Sequence, residues 1–144
     1  MKIVIAMDSF KGSLTSLEAG EAAAKGVTDS LPDSEIILMP LADGGEGTVS
    51  AIVNALGGEM VPAVVRGPLG TLIESSYGMV CAADDTGTSR VTALIEAADA
   101  AGLTKVPSSL RNPRKTTTAG LGDLIRHAVT RGIKDFVIGI GGSA

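Results

Sequence analysis

The strongest constraint on this chain is the alternation in its first 65 residues. Three short apolar runs, Ile3 to Met7, Glu35 to Met39 and Met60 to Val65, are separated by two segments with helical patterning. Continuous apolar runs of this length read as buried parallel strands. Thr15-Ser16-Leu17-Glu18 forms a capping box, with Thr15 able to accept from the Glu18 amide while Glu18 reaches back. An alanine-rich helix then runs to about Thr28, with Pro32 in its exit loop. Val49, Ile52, Val53 and Leu56 fall at i, i+3, i+4 and i+7, one face of a second helix that Gly57-Gly58 ends. The order β-α-β-α-β predicts a parallel sheet with right-handed crossovers.

At Gly67-Pro68-Leu69-Gly70 the character changes, and a second substructure is expected from there. Thr71 to Val80 and Arg90 to Ile95 read as longer strands, joined as a hairpin or meander through Asp84-Asp85-Thr86-Gly87. Pro107 to Pro113 reads as loop. Leu121, Leu124, Ile125, Ala128 and Val129 make a helical stripe that stops near Gly132. Asp135 to Ile140 is another buried strand, and Gly141-Gly142-Ser143-Ala144 follows it. Domains rarely close on a buried strand and a glycine turn, because termini are usually polar and loosely held. The expectation is a piece of something longer, with the last strand short of a neighbour and apolar surface left uncovered.

Composition removes several classes of function. The net charge is −4, and only three aromatics exist (Phe10, Tyr77 and Phe136). A nucleic-acid partner asks for a basic face or stacking rings, so none is expected. Cys81 is the sole cysteine, which excludes a disulfide scaffold and points to the cytoplasm. The apolar N-terminal run is too short for a signal peptide, and no run nears the roughly 18 apolar residues of a membrane span.

In open parallel sheets, ligands bind beyond the carboxyl ends of the strands. Two polar segments fall there, Asp8-Ser9-Phe10-Lys11 after the first strand and Asp43-Gly44-Gly45-Glu46 after the second. The latter opens a helix, whose first amides and dipole favour anions. Gly44 and Gly45 leave the backbone bare, Asp43 and Glu46 suit a hydroxyl or a metal, and Lys11 can balance a carboxylate or phosphate. The plainer reading is that Asp43 caps its helix and the glycines only turn. Gly141-Gly142-Ser143 reads either as a phosphate turn or as a plain tight turn. It does not match the dinucleotide fingerprint, and no Gly-Lys pair exists for a P-loop.

Other features favour the plain reading more strongly. His127 lies beside Arg126 on the polar side of its helix and reads as surface; with one His and one Cys, a zinc site is nearly excluded. A Ser9/Lys11 nucleophile pair is conceivable for a hydrolase, but nothing marks an oxyanion hole. Arg111-Asn112-Pro113-Arg114-Lys115 reads as a solvated basic loop, or as one closing over an anion. Tyr77 and Phe136 read as core.

Six motifs taken in order carry a resemblance. They are Ile-Ala-Met-Asp-Ser-Phe-Lys-Gly-Ser-Leu (5–14), Ala-Asp-Gly-Gly-Glu-Gly-Thr (42–48), Gly-Pro-Leu-Gly (67–70), Ile-Glu-Ala-Ala (95–98) with Ala-Gly-Leu (101–103), Arg-Asn-Pro (111–113) and Ile-Gly-Ile-Gly-Gly-Ser-Ala (138–144). Together they resemble the bacterial glycerate kinase family, whose members phosphorylate glycerate with ATP. The chain departs from the family at Met7 (usually Pro), Asp123 (usually Glu) and Ala97 (usually Met).

The resemblance implies an α/β fold: an incomplete flavodoxin-like parallel-sheet domain over residues 1–66 and part of a second α/β domain over 67–144. The family's chain is longer, so the C-terminal half of the same chain is an expected partner. The resemblance also implies Asp8, Ser9 and Lys11 as groups that bind or orient glycerate, with Lys11 and Asp43 in the chemistry and the general base either Asp43 or a group in the rest of the family's longer chain. Asp43 and Glu46 would hold substrate hydroxyls or Mg²⁺, and Gly44 and Gly45 would present amides. Gly141, Gly142 and Ser143 would begin the nucleotide-phosphate region. No residue is assigned as a dedicated metal ligand. Alongside the kinase stand two other classes, a non-catalytic anion-binding or inert module and the Ser/Lys hydrolase.

Overall fold

A computed structural model of the protein describes residues 1–10, 12–83 and 87–144. The chain divides into two compact units, Met1–Asp43 and Gly44–Ala144.

The first unit is β1 (Lys2–Met7), α1 (Ser16–Ser30) and β2 (Glu35–Pro40). The capping box forms as expected: the Thr15 amide donates to Glu18 Oε2 at 2.8 Å, and the Glu18 amide donates to Thr15 Oγ1 at 3.2 Å. The bond from the Thr15 amide holds the Glu18 carboxyl below its usual range. The helix serves as the crossover between two parallel strands, paired from Lys2↔Glu35 to Met7↔Pro40. Its small residues Ala19 and Gly20 are the buried ones, and a Cβ at Gly20 would stand 3.5 Å from Leu38. Pro40 sits at the strand's end, where its missing N–H costs no ladder bond.

The second unit holds α2 (Thr48–Leu56), β3 (Glu59–Arg66), β4 (Leu72–Ala83), β5 (Ser89–Glu96), α3 (Ala97–Ala101), α4 (Ala119–Thr130) and β6 (Asp135–Gly139). Its sheet has the order β3-β4-β5-β6; β3/β4 and β4/β5 are antiparallel, β5/β6 parallel. The third strand therefore does not extend the β1/β2 pair, which corrects the pairing expected for it. Two physical reasons are local. Residues 67–71 form a tight hairpin, with the Gly67 amide bonded to Thr71 O at 2.7 Å and the Gly70 amide to Gly67 O at 3.0 Å. A five-residue link leaves no room for the crossover a parallel neighbour needs. Burial along β3 also alternates, with Val61, Ala63 and Val65 inside and Pro62 and Val64 outside. That one-sided pattern suits an antiparallel sheet rather than a fully buried parallel one. The contacts divide the chain at Asp43/Gly44, whereas the boundary expected at residue 67 falls inside this hairpin.

The sheet of the second unit carries helices on both faces. On one, α4 sets Leu124 and Ala128 against Val61, Val65, Tyr77, Ala93 and Ile95. Burying a leucine of this kind contributes about 1.5–3 kcal/mol. On the other, Val49 and Val53 of α2 meet Val80 and Leu94. Gly78 permits that approach, since a Cβ there would come within 2.4 Å of Val53. Tyr77 is core as expected, and Phe136 packs against the same cluster while partly buried. Strand β6 has β5 on one side and no second neighbour among the described residues. Its residues Val137 and Ile138 and the following Ile140 are exposed, as expected for an uncovered edge. The turn expected at 84–87 lies outside the described residues except for Gly87.

Candidate active site

The carboxyl ends of β5 and β6 converge on the loop that opens α2. This is the position where α/β sheets bind ligands. Gly47 is the N-cap of α2 with φ 89°, a left-handed conformation that glycine adopts at little cost. Gly47 has no side chain with which to cap the helix itself. The cap comes instead from Glu96, the last residue of β5. Its Oε1 accepts from the Gly47 amide at 3.0 Å and its Oε2 from the Val49 amide at 3.1 Å. Glu96 is 7% exposed. Burial pushes its carboxyl upward; the two amides oppose that, while the nearby charges of Asp99 and Glu46 add to it.

The glycine turn after β6 lies against the same loop. The Gly141 amide donates to Gly44 O at 2.9 Å. A Cβ at Gly139 would stand 2.6 Å from Gly44 O, and one at Gly141 would stand 2.8 Å from the backbone of Gly45. Only glycine fits at this spacing, so the bare residues on both strands of chain are needed for close approach as well as for turning. The turn is held from behind by the Leu103 amide on Gly142 O at 3.0 Å and by the Ala144 amide on Ala101 O at 2.9 Å. The Thr104 hydroxyl donates to Glu46 Oε1 at 2.8 Å, and the Gly44 amide donates to Thr48 Oγ1 at 3.1 Å.

Gly44, Gly45 and Glu46 are thus brought together with Gly141, Gly142 and Ser143 in one unit. Asp8, Ser9 and Asp43 belong to the other unit. There the Ser9 amide donates to Asp8 Oδ1 at 2.7 Å, and Asp8 and Asp43 are exposed. Lys11 lies outside the described residues. Among the described residues no group of three or more His, Cys, Asp and Glu is placed to hold a metal ion. Mg²⁺ characteristically takes one or two carboxylates together with substrate phosphates rather than a protein cage. The exposed Glu46 carboxylate is an oxygen donor of that kind.

Sequence reasoning missed Glu96 and Thr104. Glu96 stands inside the quoted Ile-Glu-Ala-Ala motif, but its partner lies 49 positions away, beyond any local pattern. His127 also needs correction. It is half-buried rather than plain surface, its Nδ1 3.3 Å from the Tyr77 hydroxyl and the two rings edge-on at 5.7 Å. It lines a cleft of about 630 Å³ with Pro62, Glu74, Ser75 and Asp99, none of them in the glycine loops. No helix among the described residues is long and apolar enough to cross a membrane.

Glycine loops gathered at strand carboxyl ends place the chain in the class of α/β folds that take small ligands at that position. Within that class the chain belongs to the glycerate kinase family, whose sequence model matches residues 3–144. It is similar to the glycerate kinase of Bacillus subtilis (strain 168), 48% identical over 144 residues that cover 100% of this chain and 36% of that one. It is similar to the glycerate 2-kinase of Escherichia coli (strain K12), 45% identical over 144 residues with the same coverage of 100% and 36%. The crystal structure of a Salmonella typhimurium LT2 protein provisionally named glycerate kinase 2 superposes with a TM-score of 0.70 at 47% identity, covering 99% of this chain and 36% of that one. The chain thus spans 36% of the length of these relatives.

Proposed function

We propose that the full-length protein transfers the γ-phosphoryl group of ATP to a hydroxyl of glycerate, in the cytoplasm, with Mg²⁺ bound to the nucleotide. The observation that carries this reading is the bond from the Gly141 amide to Gly44 O at 2.9 Å, in a chain of the glycerate kinase family. It joins the loop assigned to substrate with the turn assigned to nucleotide phosphate. In the transfer the hydroxyl oxygen bonds to the γ-phosphorus, the bond to the β-phosphate oxygen breaks, and ADP leaves. Asp43 accepts the hydroxyl proton. Lys11 neutralises negative charge on glycerate or on the transferring group, and Asp8 and Ser9 orient the substrate. Glu46 receives a substrate hydroxyl, and Gly44 and Gly45 let the substrate near the backbone. Gly141, Gly142 and Ser143 line the phosphates. Mg²⁺ would be carried on the nucleotide and would offset the charge of its phosphates. Phosphoryl transfer depends on positioning and charge neutralisation more than on covalent chemistry, which suits this mixture of carboxylates, lysine and bare backbone. Residues 1–144 alone are expected to turn nothing over. The test is ATP-dependent phosphorylation of glycerate by the purified full-length chain, read as ADP and phosphoglycerate formed together. ADP release that ignores glycerate would overturn the reading.

A further inference from the structure

We infer that Glu96 is a positioning residue for the glycerate loop: its carboxylate holds residues 44–48 in the shape in which Glu46 meets the substrate. This rests on the functional reading above. Both Glu96 oxygens are used on the first amides of α2, from Gly47 and Val49, and the side chain is buried. On its second side the loop is held by the Gly141 amide on Gly44 O, and on its third by Thr104 Oγ1 on Glu46 Oε1. Thr104 lies on the turn that follows α3, so one short segment, 96–104, reaches the loop at two points.

A charge argument gives the chemistry of the group received. The positive end of α2 is already balanced by the Glu96 carboxylate. The exposed side chain the loop presents is the anionic Glu46. The loop therefore receives a hydrogen-bond donor, a substrate hydroxyl, rather than a carboxylate or phosphate.

The experiment uses the full-length enzyme and compares wild type with Glu96→Gln and Glu96→Asp, varying glycerate and ATP separately and recording melting temperatures. Glutamine keeps the shape but turns an NH₂ donor toward one of two amide donors. Loss of a charge-assisted bond should raise KM for glycerate on the order of tenfold, with KM for ATP and kcat each changed by less than about threefold. Glu96→Asp, which keeps the charge at shorter reach, should give a smaller rise in the same constant. Unchanged KM for glycerate in folded Glu96→Gln overturns the inference. So does a uniform loss in all constants that follows the melting temperature, the result of a merely structural role. Where Glu96→Gln does not fold, Glu96→Asp decides by the same two criteria. A wild-type enzyme that ignores glycerate overturns the functional reading and this one with it. An active wild type with indifferent variants overturns this one alone.

Discussion

Asp123 grips Arg66 in a forked pair. Arg66 Nε donates to Oδ2 and Nη2 to Oδ1, each at 2.7 Å, and the Arg66 amide adds a third bond to Oδ2 at 3.1 Å. The pair ties the end of β3 to α4, and Arg126 adds a further contact at 3.0 Å. The Arg66 side-chain bonds are the main reason the Asp123 carboxyl is held far below the usual carboxylate range. A depressed folded value means that the pair's contribution is present above the ordinary Asp value, about pH 4, and is lost as pH falls below it. Asp123→Asn should lower the melting temperature at neutral pH, and the gap from wild type should narrow steadily below about pH 4. Parallel pH series of thermal melts measure it; a constant gap would mean the charge of Asp123 plays no part.

Two glycines of α4 should respond oppositely to alanine. A Cβ at Gly120 would stand 1.9 Å from Arg66 O, against backbone that cannot move aside without disturbing β3. Gly122 has nothing within 4 Å. Gly120→Ala should abolish or severely weaken folding of this unit. Gly122→Ala should stabilise it by about 0.5–1 kcal/mol, the ordinary gain of alanine over glycine inside a helix. Chemical denaturation of the two variants beside wild type checks both.

Gly141→Ala separates turn-making from close approach. Gly141 has no positive φ, yet its Cβ would meet the Gly45 backbone at 2.8 Å. In the full-length enzyme this variant should fold and lose glycerate phosphorylation by about tenfold or more, since positioning errors of an ångström are costly. Full turnover would show that contact between the two loops is not needed.

Asp43→Asn and Lys11→Met test the chemistry itself. A general base contributes about 10²–10⁴-fold, so Asp43→Asn should lower kcat by at least about 10² with substrate still bound. Lys11→Met should lower kcat/KM for glycerate while leaving the melting temperature near that of wild type. An Asp43→Asn enzyme with full turnover would remove Asp43 from the mechanism.

What the sequence determined alone is what local physics decides. The Thr15–Glu18 box, the helix α2 with Gly57 after it, and the strands β1, β2 and β6 each depend on residues a few positions apart, and each formed. The burial expected of those three strands did not: none of their residues is buried, and Leu56 of the α2 stripe is exposed. The motif spacing also placed glycines at both loops of the candidate site. The tertiary structure decided the rest, because the partners are far apart in sequence. A five-residue hairpin link paired β3 with β4 as an antiparallel neighbour. Glu96 caps α2 because the end of β5 delivers a buried carboxylate to two amides that need an acceptor. His127, polar by helical position, found the Tyr77 hydroxyl through the packing of α4 on the sheet. Helical periodicity shows which face of a segment is apolar, but only the packed sheet shows which distant group meets the other.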